Sequence, residues 1–296
     1  MKHTIAVIGG DARYLELIRQ LQELSGTDII LVGFDKLEQG FTGLKQMDFA
    51  ELEQDQLDAV ILPITGTDME GNVETVFSDK EIQLTEDWLK ELKHDALLFS
   101  GIVNNYLKKA AEQAGVSLIP LLDRDDVAIY NSIPTAEGTI MMAIEHTDFT
   151  IHSSKVMVVG FGRVGQTVAN KFDALGAKVS VSTRSNKDLA RINEMGLEAV
   201  PLDDLPGRSE DCDMIINTIP APVITRESIQ QLPPHTLIID LASKPGGTDF
   251  DYAKQRGIQA ILARSLPGVV APKTAGKILA DVIKQILVEE RRSTWN

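Results

Sequence analysis

The sequence predicts an α/β protein, because short apolar runs alternate with segments of helical period along most of its 296 residues. Fully apolar runs such as Ile5–Ile8 and Val156–Val159 are typical of strands buried on both faces of a parallel sheet. A glycine-rich turn follows each of these two runs, and each turn leads into a helical segment. The predicted fold class is therefore α/β, with two Rossmann-like parallel-sheet domains and an inter-domain cleft.

The first domain is predicted over residues 1–132. Its predicted strands are 5–8, 29–33, 59–62, 96–99 and 116–119, and its predicted helices are 14–24 and 103–114. In its first turn, Asp11 and Tyr14 stand where a dinucleotide fingerprint has its second and third glycines, so we do not expect this half to bind a dinucleotide. A long polar loop over residues 68–85 is either a lid over the cleft or a mobile surface segment.

A connecting helix is predicted over residues 133–150, starting near Pro134, because proline suits the first turn of a helix. The second domain is predicted over residues 151–273, and a final helix over about 274–292 is expected to pack back on the first domain. Strands of the second domain are predicted at 156–159, 178–183, 198–200, 214–217, 237–240 and 258–262.

Gly160, Gly162 and Gly165 have the G-x-G-x-x-G spacing between a predicted strand and a predicted helix. In a dinucleotide site these glycines permit a tight turn, the approach of the pyrophosphate to the backbone, and close packing of helix on strand. The pyrophosphate then lies at the helix N-terminus. A nicotinamide cofactor is therefore predicted, whereas glycines that serve only the turn are the alternative. The predicted cofactor contacts are Gly160, Gly162, Arg163, Val164, Gly165, Thr183, Arg184, Ser185, Thr218 and Pro220.

The end of the next strand bears on which cofactor is bound. An NAD site usually has Asp or Glu about 20 residues past the glycines, but here the strand ends in Thr183, Arg184 and Ser185. A guanidinium beside two hydroxyls suits a 2′-phosphate, which arginine holds in bidentate fashion. The sequence therefore favours NADP over NAD, and the alternative is that Arg184 is a solvated surface charge.

Substrate contacts are predicted at the other strand ends, because ligands of parallel sheets collect beyond the carboxyl ends of the strands. Lys244 is predicted as the catalytic residue, acting as a carboxylate ligand or, if desolvated, as a base. The predicted substrate contacts are Arg13, Thr65, Thr67, Ser100, Ser132, Thr135 and Arg264. Ordinary turn chemistry is the alternative for these loops, and a surface lysine is the alternative for Lys244.

Composition excludes several classes of protein. The formal charge of −14, with 43 acidic against 29 basic residues, argues against a nucleic-acid or anionic-membrane surface. The single cysteine, Cys212, fits a reducing compartment, and no metal motif such as H-E-x-x-H is present. No apolar run approaches the roughly 20 residues that span a bilayer, and the first residues enter a strand too quickly for a signal peptide. We therefore expect a cytoplasmic protein without a metal.

Five motifs carry a resemblance to a known family: Gly9–Arg13, Gly40–Gly43, Asn131–Gly138, Gly160–Gly165 and Leu266–Gly268. They are similar to those of the A subunit of dipicolinate synthase from spore-forming bacteria, over essentially the whole chain. The resemblance implies an enzyme of the mother-cell cytoplasm during sporulation, working with a flavoprotein-like B subunit. It also implies that dipicolinate forms from a dihydrodipicolinate-level dicarboxylate of the lysine pathway, with a nicotinamide cofactor as hydride acceptor.

The second domain also resembles the cofactor domain of D-2-hydroxyacid dehydrogenases. That family has a catalytic arginine after the strand matching Leu237–Asp240, and a Glu and a His further on. This chain has Ser243 and Lys244 there and no histidine after His235, which counts against hydroxyacid chemistry. Two other interpretations stay open. One is a shikimate- or methylenetetrahydrofolate-type dehydrogenase. The other is an NADP-binding scaffold or sensor without turnover, since no acid–base pair is evident. Homo-oligomerisation also stays open.

Overall fold

The computed structural model describes residues 3–37, 43–243 and 245–293. The chain divides into two units, one formed by Met1–Ala128 with Ala271–Asn296 and the other by Ile129–Val270. Each unit is built on a six-stranded sheet whose paired strands are all parallel. These two sheets and their flanking helices confirm the predicted α/β fold class with two Rossmann-like domains.

The first half of the chain alternates strands and helices. The strands are β1 (His3–Ile8), β2 (Thr27–Val32), β3 (Lys45–Gln46), β4 (Ala59–Ile61), β5 (Leu97–Ser100) and β6 (Ser117–Pro120). The helices are α1 (Ala12–Leu21), α2 (Glu86–Lys90), α3 (Asn105–Ala114) and α4 (Asp125–His146). Local signals set the ends of the helices: the Asn104 side chain accepts from the Leu107 N–H at 2.8 Å to cap α3, and Gly115 ends it with φ +71.

The second half follows the same alternation. The strands are β7 (Lys155–Val159), β8 (Lys178–Thr183), β9 (Glu198–Pro201), β10 (Met214–Asn217), β11 (Leu237–Asp240) and β12 (Gln259–Leu262). The helices are α5 (Arg163–Ala174), α6 (Asn186–Glu194), α7 (Leu205–Arg208), α8 (Arg226–Gln231), α9 (Phe250–Arg256), α10 (Leu266–Val270) and α11 (Pro272–Ser293).

The two sheets share one topology. The strand order is β3-β2-β1-β4-β5-β6 in the first unit and β12-β11-β10-β7-β8-β9 in the second. The order therefore reverses beside β1 in one sheet and beside β7 in the other. In doubly wound sheets, ligands bind at this switch point, beyond the carboxyl ends of the strands.

Each sheet has a core on both faces. In β1, Ile5 and Val7 belong to the cluster that contains α1 and α11, whereas Ala6 and Ile8 belong to the cluster on the other face. The strands of the second unit divide in the same way between two clusters. Burial on both faces explains why these strands are continuous apolar runs.

The helix α4 starts earlier than the sequence predicts. It begins at Asp125 and has Pro134 in its interior, so the predicted start near Pro134 is wrong. Proline removes one backbone hydrogen bond from a helix. Two hydroxyls beside it bond to backbone carbonyls one turn back: Ser132 donates to the Ile129 oxygen at 2.6 Å and Thr135 to the Asn131 oxygen at 2.8 Å.

The last helix, α11, packs against α1 within the first unit. Leu279 and Ile283 are fully or almost fully buried in the same cluster as Leu17 of α1. A Cβ at Gly276 would collide with the Arg13 carbonyl oxygen, so a glycine permits the close approach of the two helices. No helix in the described parts of the chain is both long and apolar enough to cross a membrane.

The segment between β4 and α2 is tied to the first unit. Thr67 pairs with Val73 and Asn72 with Gln83 in isolated antiparallel bridges. Val73 is buried, as are Ile82 and Leu84, and all three join the core cluster on the α2 and α3 face. The polar loop of the sequence is thus a packed segment with apolar anchors.

Candidate functional site

The glycine-rich turn of the second unit follows β7, next to the point where the strand order reverses. Gly160 has a left-handed backbone with φ +102, and a Cβ there would lie against the Thr218 hydroxyl and 2.9 Å from the Ile219 side chain. A Cβ at Gly165 would collide with the Gly160 carbonyl oxygen. Only glycine therefore permits this turn and the close approach of α5 to β7. The structure thus brings Gly160, Gly165 and Thr218 together.

The N-terminus of α5 is open at its capping position. Gly162 is the N-cap residue, and a Cβ added to it would have no neighbour within 4 Å. The first N–H groups of a helix have no acceptor within the helix, and its dipole makes this end positive. The predicted contacts Arg163 and Val164 are the first two residues of α5. An anion such as a pyrophosphate can therefore approach this backbone closely.

The corresponding turn of the first unit is closed by its own residues. Asp11 caps α1, accepting from the Arg13 backbone N–H at 2.9 Å. The Gly10 N–H donates to the Glu74 carbonyl oxygen at 3.2 Å, and a Cβ at Gly10 would lie 2.6 Å from Cδ2 of Tyr14. A carboxylate thus stands where an anionic ligand would bind. These contacts support the expectation that this half binds no dinucleotide.

Arg13 is paired with the same carboxylate. Its Nε donates to the two Asp11 oxygens at 2.9 and 3.0 Å, and Nη2 also donates to Oδ2. Burial alone raises the pKa of the Asp11 carboxyl, but the hydrogen bonds and charge of Arg13 outweigh burial and lower that pKa below its usual value. The Arg13 guanidinium is therefore largely neutralised by its neighbour, which competes with the predicted binding of a substrate carboxylate.

Three hydroxyls of the first unit were predicted as substrate contacts. Thr65 and Thr67 line one small cavity of about 300 Å³. The Thr65 hydroxyl donates to Glu74 Oε2 at 2.9 Å, whereas the buried Thr67 hydroxyl has no hydrogen-bond partner among the described residues. Ser100 is fully buried and donates to the Ile102 carbonyl oxygen at 2.7 Å. Of the three hydroxyls, that of Thr67 has hydrogen-bonding capacity that the described residues do not use.

The hydroxyls of Ser132 and Thr135 have partners within the second unit. Ser132 is fully buried and lies 2.7 Å from the Thr167 hydroxyl of α5, besides donating to the Ile129 carbonyl. Thr135 donates to the Asn131 carbonyl. Both hydroxyls are thus engaged within the second unit, and this engagement does not support the predicted substrate contacts.

The end of β8 presents an exposed cation. The Ser185 hydroxyl accepts from the Asp188 N–H at 3.2 Å and caps α6. The Thr183 hydroxyl accepts from the Ser185 N–H at 3.3 Å. Arg184 between them is exposed, and no acidic side chain of the described residues pairs with it. Its guanidinium is therefore free to bind a phosphate.

The strand ends beyond the turn are linked by buried polar groups. Thr218 donates to the Val159 carbonyl oxygen at 3.0 Å, and Pro220 is exposed. Asn217 and Asp240 are fully buried, and the Asn217 amide donates to Asp240 Oδ1 at 3.0 Å. Neither Asn217 nor Asp240 is among the site residues predicted from the sequence. The sequence does contain a signal for these two residues, because each is the polar last residue of an otherwise apolar predicted strand.

The remaining predicted groups lie after β11 and β12. Lys244 lies outside the described residues. Arg264 is exposed at the end of β12 and is followed by Ser265, which has a left-handed backbone with φ +55. Such a conformation is uncommon for a residue other than glycine and is found at functional sites as well as at turns.

The single cysteine is a buried residue of the second unit. Cys212 belongs to a core cluster, and burial raises the pKa of its thiol to about 12. A thiol with this pKa is protonated at neutral pH and is a poor nucleophile. Cys212 therefore has the properties of a core residue.

Comparison with known proteins decides the family. A family model described as the N-terminal domain of the dipicolinate synthase A subunit matches residues 4–122. Over 285 residues the chain is 54% identical to the dipicolinate synthase A subunit of Bacillus subtilis (strain 168). The aligned region covers 96% of this chain and 96% of the relative. The chain belongs to the family of dipicolinate synthase A subunits.

Two solved structures of the family have the same fold. The A chain of dipicolinate synthase from Bacillus subtilis has a TM-score of 0.95 at 52% identity, covering 99% of this chain and 98% of that one. The A subunit from Bacillus halodurans has a TM-score of 0.93 at 52% identity, covering 96% of this chain and 97% of that one. The resemblance drawn from the five sequence motifs is thus confirmed.

A second family model identifies the class of the second unit. The NAD binding domain of D-isomer specific 2-hydroxyacid dehydrogenases matches residues 134–243. This range contains the turn from Gly160 to Gly165 and the open N-terminus of α5. The second unit is therefore an NAD-binding domain of the dehydrogenase type, which supports the predicted nicotinamide cofactor.

Proposed function

We propose that the chain is the NADP-dependent oxidoreductase subunit that forms dipicolinate from a dihydrodipicolinate-level intermediate of the lysine pathway. The observation that carries the proposal is the difference between two helix N-termini. Gly162 leaves α5 open to an anion, whereas Asp11 caps α1 with a carboxylate. The identity to a relative named as the A subunit of dipicolinate synthase supports the product. The setting we propose is the mother-cell cytoplasm during sporulation.

The residues present fit a phosphorylated dinucleotide. The N-terminus of α5 would hold the pyrophosphate, because its N–H donors lie where no side chain intrudes at Gly162. Thr183, Arg184 and Ser185 would hold a 2′-phosphate, because Arg184 is exposed and no acidic residue stands among these three. On these grounds we propose NADP rather than NAD.

The main task of the protein in this reaction is to position the substrate against the cofactor. Oxidising a dihydropyridine dicarboxylate to the aromatic pyridine removes one hydride and one proton from the ring. A nicotinamide cofactor held at the N-terminus of α5 would supply the acceptor for that hydride. The protein must hold both substrate carboxylates, and well-oriented reactants save about 7–11 kcal/mol of barrier. Lys244 and Arg264 are the proposed cations for this task, with Thr67 as a proposed hydroxyl contact.

A partner protein is part of the proposal. The relative's name describes it as one subunit of an enzyme, so we propose that this chain works with a B subunit, which the family resemblance describes as flavoprotein-like. The strongly acidic composition, with a formal charge of −14, favours a partner with basic residues at the contact.

A scaffold without independent turnover is the second candidate function. The observation that favours it is the engagement of predicted substrate groups within each unit. Arg13 is paired with Asp11, and Ser132 is bonded to Thr167. On this alternative the chain binds the cofactor and supports its partner, but oxidises no substrate itself.

One assay tests the proposal and separates the alternatives. Purified chain, with and without the B subunit, is mixed with NADP or NAD and freshly generated lysine-pathway precursor. Formation of reduced cofactor and of dipicolinate is followed by absorbance. The proposal expects reduced cofactor and dipicolinate in equal amounts, with NADP preferred. Cofactor binding without formation of reduced cofactor or dipicolinate in the absence of the B subunit supports the scaffold, and no binding of either cofactor contradicts both.

A further inference from the structure

Asp240 is a buried carboxylate that the proposed function does not yet use. It ends β11, and its exposed fraction is 0%. Oδ1 accepts from the Asn217 side-chain amide and the Ala242 backbone N–H, both at 3.0 Å. Oδ2 accepts from the Gly247 N–H at 2.8 Å and the Thr248 hydroxyl at 2.7 Å. Four donors thus satisfy a group that is costly to bury without partners.

The donors come from two separate loops. One loop follows β10 and begins after Asn217, and the other follows β11 and contains the remaining three donors. The loops are also joined directly, because the Gly247 carbonyl accepts from the N–H groups of Val223 and Ile224 at 3.0 and 2.8 Å. A Cβ at Gly247 would lie 2.5 Å from the Asn217 amide nitrogen. Asp240 is therefore the acceptor around which both loops are arranged.

The same network extends to the glycine-rich turn. The Asn217 side chain accepts from the Ile219 N–H and donates to the Ile219 carbonyl, both at 3.0 Å. This fixes the turn that carries Thr218, whose hydroxyl donates to the Val159 carbonyl at 3.0 Å. A Cβ at Gly160 would lie against that hydroxyl. Hydrogen bonds, joined through the backbone of the turn from Asn217 to Ile219, thus link the end of β11 to the end of β7.

The location of the network defines what it can influence. In a doubly wound sheet the dinucleotide lies across the switch point, with its adenosine ribose at the end of the strand after the glycine-rich turn. That strand is β8, on one side of β7, while β10 and β11 lie on the other side. The loops that Asp240 holds are therefore on the nicotinamide side.

We infer that Asp240 is a positioning residue for the nicotinamide half of the cofactor, acting through the loops after β10 and β11. This inference rests on the proposed cofactor site of the second unit. A carboxylate suits the role because its two oxygens accept from all four donors. An asparagine would replace one of the two carboxylate oxygens by an NH2 group. That group would face two hydrogen-bond donors, so the loops would lose one of the acceptors that set their arrangement.

The test compares a whole cofactor with a fragment that lacks nicotinamide. Full-length wild type and variants are titrated with NADPH and with 2′-phospho-ADP-ribose by calorimetry, or with NADH and ADP-ribose if NADH binds more tightly. The variants are Asp240→Asn and the milder Thr248→Val, which removes one of the four donors. Thr236→Val is the matched control. Thr236 precedes the opposite end of β11, is 1% exposed, and donates to the Cys212 carbonyl at 2.7 Å.

Asp240→Asn is expected to raise the Kd of the whole cofactor about tenfold, because a lost buried acceptor leaves its donors unsatisfied. The Kd of the fragment should change by less than about threefold, since its phosphates bind at α5 and β8. Thr248→Val should shift the same ratio in the same direction by a smaller factor. Thr236→Val should leave the ratio of the two Kd values unchanged even if it lowers the stability of the second unit. If Asp240 had only a structural role, Asp240→Asn would likewise lower stability without changing that ratio.

Equal losses for cofactor and fragment, or no loss for either, would overturn the inference. So would a wild type that binds the fragment as tightly as the whole cofactor, because no nicotinamide contribution would then exist. A wild type that binds neither ligand contradicts the proposed function itself, which is a distinct result. If Asp240→Asn does not fold, the ratio measured for Thr248→Val against Thr236→Val decides the question.

Discussion

Two arginines near strand ends differ in what they pair with. Arg13 donates to the Asp11 carboxylate through Nε and Nη2. Arg184 is exposed after β8, and among the described residues no carboxylate pairs with it. A guanidinium without an acidic partner keeps its donors for a phosphate, whereas a paired one must first give up its partner. Arg184 is therefore the stronger candidate for an anionic ligand.

Replacing Arg184 with alanine is expected to weaken NADPH binding by about tenfold or more, because a hydrogen bond to a charged group contributes about 1.5–3 kcal/mol. NADH binding should change by less than about twofold, since NADH lacks the 2′-phosphate. Fluorescence titration of both reduced cofactors measures the two values. Arg191→Ala, which removes an exposed charge on α6 that pairs with Glu194, is the control. Equal losses for both cofactors would contradict the 2′-phosphate assignment.

Replacing Asp11 with alanine is expected to destabilise the first unit by about 1 kcal/mol at neutral pH, the usual cost of a lost N-cap. The folded pKa of Asp11 lies below its ordinary value of 3.8. Its contribution is therefore fully present above that value and is lost as the pH falls through the folded pKa. The difference in free energy of unfolding between Asp11→Ala and wild type should therefore shrink as the pH falls through the folded pKa of Asp11.

Urea unfolding at neutral pH and on both sides of pH 3.8 measures this difference. Glu81→Ala is the control, because Glu81 is an exposed carboxyl group of the same unit outside any helix. A difference for Asp11→Ala that stays constant or grows with acidity would show that the ionised cap does not stabilise α1.

Lys244 stays a prediction from the sequence. If it is the base, Lys244→Ala should lower kcat by about 10²- to 10⁴-fold. If it binds a substrate carboxylate, the variant should mainly raise KM. In both cases the Kd of the reduced cofactor should remain close to that of wild type. Steady-state kinetics with cofactor titration makes the comparison, and Lys254→Ala, at an exposed position of α9, is the control. Unchanged kinetics would remove Lys244 from the site.

At the scale of secondary structure, the β7–α5 connection gives its glycines two separate tasks. A Cβ at Gly165 would collide with the Gly160 carbonyl, so this glycine serves the packing of helix on strand. A Cβ at Gly162 would meet no atom within 4 Å, and its φ of −79 suits any residue. Packing therefore does not require a glycine at position 162. The absence of a side chain there instead permits a ligand to approach the backbone closely.

The two glycines should respond differently to alanine. Gly165→Ala should destabilise the second unit by about 1–3 kcal/mol, as overpacking does. Gly162→Ala should cost no more than about 1 kcal/mol as an N-cap change, yet weaken cofactor binding strongly by blocking the pyrophosphate. Thermal unfolding and cofactor titration measure both effects. Gly207→Ala, whose added Cβ also meets open space, is the control. Unaltered cofactor affinity in Gly162→Ala would argue against a pyrophosphate at α5.

For the molecule as a whole, the chain leaves the first unit near Ala128 and returns to it at Ala271. The returning helix α11 supplies buried residues, among them Leu279 and Ile283, to the core shared with α1. The first unit therefore cannot complete its core until the end of the chain is present. Its stability should depend on α11 as strongly as on its own central strands.

Ile283→Ala is expected to destabilise the first unit by about 2–5 kcal/mol, the usual cost of a large-to-small core change. Val288→Ala on the same helix should cost far less, because Val288 is 36% exposed. Urea unfolding followed by circular dichroism measures both variants. A loss for Ile283→Ala no larger than that for Val288→Ala would show that α11 is not part of the first unit's core.

Much of this fold could be read from local patterns. Apolar runs of four and three residues predicted β7 and β11, and the spacing of Gly160, Gly162 and Gly165 predicted the strand–turn–helix connection. These features follow from periodicity and backbone sterics, which a short stretch of sequence encodes completely. Pro134 misled the prediction of α4, because neighbouring hydroxyls bond to carbonyls near the proline and the helix continues through it.

The family, the alternating elements and the dinucleotide-type turn were available from the sequence, since each is a pattern of neighbouring residues. Which polar groups are already engaged was decided by tertiary structure. Asp240 meets Asn217, Ser132 meets Thr167, and Thr65 meets Glu74 through folding of the chain. A hydrogen bond depends on the positions of two groups in space, and for residues far apart in sequence those positions exist only once the sheets have formed.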